Sequence, residues 1–256
     1  TVVLRSTRVF IDSHCHLNYL QEPEKALQRA RAAGVSTCLC ISVEQKRINE
    51  VLALAAAHDD VWASVGVHPD AAAESLDWIE ANLSHPRVLA VGETGLDYLH
   101  DITDEAKLRQ QEAFDFQLQL AHKHSLPIIV HTRNAQDDTL ALMVRYPQVE
   151  GVLHCFTESW DMAAQALEMG YYISISGIVT FKNAENVREV ARLVPIERLL
   201  IETDAPWLAP VPNRGKDNEP AFVADTAKFL AELRGTNLET LAAQTSDNFN
   251  TLFKPS

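Results

Sequence analysis

The chain has 256 residues, of which 46% are hydrophobic and 22% charged, and it carries a net charge of −13. Such a length buries a large core without disulfide staples, and the composition excludes a fibrous or disordered chain. The acidic total excludes a protein that coats nucleic acid through a broad basic face, but it leaves room for an enzyme that grips phosphates with local cations and metal ions.

Short β-branched runs alternate with helix-period segments eight times. The predicted strands are Arg8–His14, Thr37–Ser42, Val61–Val67, Val88–Glu93, Pro127–His131, Gly151–Cys155, Tyr171–Ile175 and Arg198–Asp204. Each is nearly apolar throughout, as expected of a parallel strand covered on both faces. A helix is predicted over Glu24–Ala33, closing at Gly34, and another ends at Met169 before Gly170. Ser42–Gln45 reads as a capping box for the second helix, and Thr236–Glu239 as one for the last. The longest helix is expected over Glu105–Ser125, with Leu108, Phe114, Leu118 and Ala121 near one face.

No apolar run approaches the ~20 residues that span a bilayer, and the opening TVVLRSTRVF lacks a secretory core. A cytoplasmic protein with no membrane contact and no obligate protein partner is expected. Cys15, Cys38, Cys40 and Cys155 read as small buried hydrophobes in a reducing compartment, because a lone C-x-C makes a poor zinc site. No Ser/Gly linker or shift in composition divides the chain, so residues 1–256 are expected to form one domain.

Strands alternating with helices imply right-handed crossovers and a parallel sheet. Eight such units close into a (β/α)8 TIM barrel. An open doubly wound sheet is the alternative, but it would not need the ends of strands one, four, five, six and eight to converge. Those ends carry His14 and His16, Glu93, His131, His154 and Asp204.

Each of these residues is weak evidence alone. A His-x-His pair is usually solvated or satisfied in a core, and a strand-end carboxylate can simply bond loop amides. Six in register on five strand ends point to a metal centre. H-x-H on an extended segment puts two imidazoles on one side, able to chelate a single ion. The two oxygens of Glu93 could bridge ions ~3.5–4 Å apart, and Asp204 could both ligate and accept a proton from water. Mixed His and carboxylate donors suit Zn, Mn, Co or Ni, and would accept Mg.

Around them, Asp12 and Glu202 lie one layer deeper and would orient ligands. Asp97 would orient His68 or a neighbouring ligand, and His68 itself would meet a phosphate or support the ligands. Arg133, Lys182, Arg214 and Lys216 follow strands on the same face and would bind phosphates. Tyr98, Phe156, Phe181 and Trp207 lie just past strand ends, where they would either stack on a base or pack loops over the barrel mouth.

The segments IDSHCHL, VGVHP, VGETGLDY, PIIVHTR, GVLHCFT, YYISISGIVTF, LLIETDAPWLAP and NRGKDNEP resemble the TatD family of metal-dependent hydrolases, within the amidohydrolase-type barrel superfamily. The resemblance covers nearly the whole chain. It implies a centre of two divalent metal ions: His14, His16 and Asp204 on one, His131 and His154 on the other, and Glu93 bridging. It further implies a DNase with 3′→5′ exonuclease character on single-stranded or frayed ends, acting through metal-bound hydroxide, with Glu93 and Asp204 catalytic. Related barrels often bridge their metals with a carbamylated lysine, where this chain has Glu93. An amide, lactone or ester hydrolase using the same centre, and a non-enzymatic metal-binding scaffold, remain the alternatives.

Overall fold

The computed structural model describes residues 9–100 and 102–255. The opening segment Thr1–Arg8, with the first residue of the first predicted strand, lies outside them. Eight strands follow in order: β1 (Phe10–Cys15), β2 (Val35–Cys40), β3 (Val61–Val65), β4 (Val88–Asp97), β5 (Ile128–Arg133), β6 (Gly151–Leu153), β7 (Tyr172–Ile175) and β8 (Leu199–Ile201). They form one parallel sheet in sequence order. At the seam, Asp204 N donates to His14 O at 2.9 Å and His16 N to Ala205 O at 2.8 Å, and Ser13 Oγ donates to Ile201 O at 2.9 Å. These bonds bring β8 back beside β1 and make the sheet a nearly closed (β/α)8 barrel.

The helices are α1 (Pro23–Ala32), α2 (Ile48–Ala57), α3 (Asp77–Asn82), α4 (Asp104–His124), α5 (Gln136–Met143), α6 (Trp160–Glu168), α7 (Glu185–Leu193), α8 (Val223–Leu233) and α9 (Leu238–Phe253). Apolar stripes such as Leu27 and Ala30 of α1 or Val187 and Val190 of α7 are buried against the outer faces of the strands. Inside, Leu39, Trp62, Leu89, Ile129, Val152, Tyr172 and Leu200 cluster with Phe249, Leu252 and Phe253 of α9. Trp62, Leu89 and Tyr172 lie near the starts of their strands, so α9 stoppers that end of the barrel. Among the described residues, no helix is long and apolar enough to cross a membrane.

Several local expectations are corrected. β4 does not stop at Glu93; a register irregularity between Val91 and Thr94 absorbs Gly92 and Glu93, and pairing with β5 resumes at Thr94 and runs to Asp97. β6 and β8 stop before His154 and Asp204, because Cys155 (φ 43°) and Asp204 (φ 59°) turn the backbone out of the ladder. Ser42 caps no helix: it is buried and its hydroxyl donates to Gly66 O at 3.1 Å, while α2 begins at Ile48. α9 is capped by Asn237, whose Oδ1 accepts from Thr240 N at 2.7 Å, one residue after the expected Thr236. In α4, Leu108 is 54% exposed, since six residues of helix rotate it well away from the buried Phe114.

Candidate metal centre

The close approach of β3, β4 and β5 is what seats Glu93, and glycines permit it. A Cβ on Gly66 would lie 2.5 Å from Gly92 Cα, and one on Gly95, at φ 135°, would lie 1.9 Å from His131 O. The consequence is a carboxylate that is 3% exposed at the centre of the ring of imidazoles.

His14 and His16 each bring Nε2 close to both Glu93 and Asp204. His14 Nε2 lies 3.3 Å from His16 Nε2, 3.3 Å from Glu93 Oε2 and 3.6 Å from Asp204 Oδ1. His16 Nε2 lies 3.3 Å from Asp204 Oδ1 and 3.7 Å from Glu93 Oε2. Donors held about 2.1 Å from one ion at tetrahedral angles sit about 3.4 Å apart, so these spacings around the two histidines suit a single divalent ion. The other oxygen, Glu93 Oε1, lies 2.8 Å from His154 Nε2, 3.2 Å from His131 Nδ1 and 3.5 Å from His68 Nε2. Glu93 therefore faces two separate groups of nitrogens, one with each oxygen. Two of the donor triads this geometry defines, His14–His16–Glu93 and His68–Glu93–His131, share it.

The rings are held from behind. His131 Nε2 lies 3.0 Å from Asp97 Oδ2, His154 Nδ1 3.2 Å from Glu202 Oε1, and His16 Nδ1 3.2 Å from Ile41 O. Such partners set the tautomer and aim the opposite nitrogen inward. Of the two expected partners, His68 and a neighbouring ligand, Asp97 meets the latter, His131, and His68 faces Glu93 instead. Asp12 touches no ring: it accepts from Thr203 N at 2.9 Å, Thr203 Oγ1 at 2.5 Å and His14 N at 3.3 Å, tying β1 to the loop that carries Asp204.

The electrostatics describe a centre built to attract positive charge. Burial opposes ionisation of Glu93, yet His154, His68 and His14 hold its carboxyl well below the usual range. Burial likewise disfavours the His154 imidazolium, but Glu93 and Glu202 lift it well above its ordinary value. His68 behaves oppositely, since burial outweighs Glu93 and lowers it to about 4. Burial pushes Asp12 up to about 7 against the hydrogen bonds from Thr203 and His14.

A cleft of about 590 Å³ opens above these residues and is lined by Tyr19, Arg133, Ile178, Trp207 and Leu208 among others. Of the expected phosphate ligands, Arg133 and His68 line it. Lys182, Arg214 and Lys216 do not; Arg214 lies 3.8 Å over the Phe181 ring and Lys216 Nζ donates to Asn213 Oδ1 at 3.5 Å. Phe156 is 1% exposed and so is core, not a base platform. Tyr98 donates to Asp138 Oδ2 at 3.0 Å, away from the cleft.

Two supporting residues escape the sequence reading. Gln117 of α4 is fully buried; its amide accepts from Val67 N at 2.9 Å and donates to Val67 O at 3.1 Å and Thr94 Oγ1 at 2.7 Å. Asn218, also fully buried, donates to Thr203 O at 2.8 Å and Trp207 O at 2.6 Å, fixing the loop around Asp204. A polar residue on the apolar stripe of α4 is a signal that could have marked Gln117; Asn218 sits in an irregular loop that offers none.

A parallel barrel with buried His and carboxylate donors gathered beyond its strands defines a metal-dependent hydrolase. Residues 11–254 match the model of the TatD-related DNase family, and the chain belongs to that family. It is 44% identical over 253 residues to an uncharacterized metal-dependent hydrolase, YcfH, of Escherichia coli K12, covering 95% of each chain. It is 36% identical over 247 residues to the 3′-5′ ssDNA/RNA exonuclease TatD of Erwinia tasmaniensis, covering 92% of this chain and 95% of that one. The crystal structure of the TatD homologue YJJV from Escherichia coli superposes with a TM-score of 0.90 at 33% identity, over 97% of this chain and 98% of the other.

Proposed function

We propose that the protein is a phosphodiesterase that removes nucleotides from the 3′ end of single-stranded or frayed DNA, with two divalent ions held by His14, His16, Glu93, His131, His154 and Asp204. The observation that carries this reading is Glu93, whose two oxygens each face their own set of imidazoles. When bound, such a pair of ions supplies Lewis acidity and an activated water for displacement at phosphorus. The name of the Erwinia relative supports a nucleic-acid substrate.

The chain's own groups have distinct tasks. Asp204 is held ionised by His16 and His14 although burial opposes it, and its side chain is 15% exposed to the cleft. It is placed to take the proton from the attacking water. Arg133 lines the cleft two residues past His131 and would meet a phosphate oxygen, while neutral His68 would donate or accept a hydrogen bond there. Asp97 and Glu202 keep His131 and His154 aimed.

The test is digestion of a 3′-labelled single strand by metal-loaded protein beside Glu93→Gln, with metal content measured on both. Release of mononucleotides by the wild type and its loss in the variant is expected. An intact strand after incubation with clean, metal-loaded wild type overturns the reading. Turnover of amides or lactones in the same preparation would assign the centre to a different bond.

A further inference from the structure

The lining of the cleft is divided. Tyr19, Ile178, Trp207 and Leu208 follow β1, β7 and β8, three neighbours in the ring, whereas His68, Asp70, Glu74 and Arg133 follow β3 and β5. One side is therefore aromatic and aliphatic, the other polar, and the imidazole-carboxylate centre lies between. A ligand that fits carries a planar apolar group on one side of the reacting centre and polar groups on the other.

Two aromatic residues line that cleft, Tyr19 and Trp207, and Trp207 is the more exposed of them. Phe156 is buried, Phe181 is covered by Arg214, and the Tyr19 ring is covered by Arg47 at 3.9 Å. Trp207 is 46% exposed, with its ring 5.1 Å from His16 and 5.5 Å from Tyr19. Its backbone is set in advance: Trp207 N donates to Asp204 O at 3.0 Å, Asn218 Nδ2 donates to Trp207 O at 2.6 Å, and Leu208 is held at φ 61°. A bulky residue in the left-handed region is costly and persists only where the surroundings enforce it. The backbone under the indole is thus fixed, and the ring is exposed and adjacent to a residue of the centre.

We propose that Trp207 is the platform on which the base of the terminal nucleotide stacks, so that the protein selects ends bearing a base through this one side chain. The inference rests on the phosphodiesterase reading for its substrate and adds what that substrate must contain. Stacking on an aromatic side chain is sequence-tolerant, because every base has a π face. Preference for any base over none is expected to be about 5- to 150-fold, with little discrimination among the four.

Two oligonucleotides, one ending in thymidine and one whose terminal residue has hydrogen in place of the base, separate this role from simple shielding of His16. The wild type should show the stated preference in kcat/KM, carried mostly by KM. Trp207→Ala should lose it by slowing only on the thymidine end, and Trp207→Phe should restore most of it. Calorimetric binding of thymidine 5′-monophosphate and deoxyribose 5-phosphate to the metal-loaded protein gives a readout free of turnover. Wild type should favour the nucleotide by the same factor, and Trp207→Ala should bind both alike. Equal use of both ends, or equal binding or no binding of both ligands by wild type, overturns the inference, as does a variant that weakens both alike. Cleavage without preference sinks the base platform and spares the phosphodiesterase; nucleotide preference without cleavage does the reverse.

Discussion

Gln117→Leu tests whether α4 holds the centre from behind. Leucine nearly matches glutamine in volume, so the substitution removes polarity and leaves little cavity. It strips the partners from Val67 N and Val67 O, which the Gln117 amide meets at 2.9 and 3.1 Å in a site sealed from solvent. Each orphaned buried group costs about 1–3 kcal/mol, giving about 2–6 kcal/mol for the pair. At roughly 2–4 °C per kcal/mol for a chain of this size, Tm should fall by about 4–24 °C. Gln119→Leu, on the exposed side of the same helix, should move Tm by no more than about 2 °C. Because Val67 precedes His68 and Gln117 also holds Thr94 beside Glu93, weaker metal binding should accompany the loss of stability. Scanning calorimetry of the two variants decides it. A Gln117→Leu protein melting with Gln119→Leu would refute the reasoning.

Asp97→Asn should cut metal affinity about 10- to 100-fold by releasing the His131 ring, read by titration against a chelator; unchanged affinity would exclude the positioning role. A divalent ion at 100 times its Kd should stabilise the protein by about 2.7 kcal/mol, raising Tm by about 5–10 °C. Most of that gain should vanish in Glu93→Ala, and a wild type indifferent to every divalent ion tested would count against the centre. Gly95→Ala forces a methyl against the His131 carbonyl at a left-handed φ and should cost about 3 kcal/mol or more. A variant with wild-type Tm would show that β4 and β5 can separate at no cost.

The barrel was legible because its evidence is redundant. Eight apolar runs each announce a strand covered on both sides, and six donors at their downstream ends converge in only one kind of sheet. What the sequence hid depends on neighbours. V-G-E-T-G reads as the end of a strand at Glu93, yet β4 continues past the irregularity between Val91 and Thr94, because Gly95 can lie against His131. Ser42 has the composition of a cap and the location of a strand end, where Gly66 O is the nearer partner. Phe156 and Trp207 both follow strands, but one turns into the core and the other stays half exposed, a difference set by the loops that cover them. For His68 the sequence leaves a phosphate contact and support of the ligands side by side, and only the fold shows its ring 4.6 Å from that of His131.

The seam between β8 and β1 has a consequence for how this chain reaches its native state. Hydrogen bonds from Asp204, His16, Ser13 and Thr203 tie the two sides together there, while His14 and His16 sit on one side and Asp204 on the other. Helices and most strand pairs can assemble with the ring still open, but those three donors meet only when it shuts. Uptake of a coloured divalent ion such as cobalt would then time the closing of the circle, arriving after the far-ultraviolet signal of the helices during refolding.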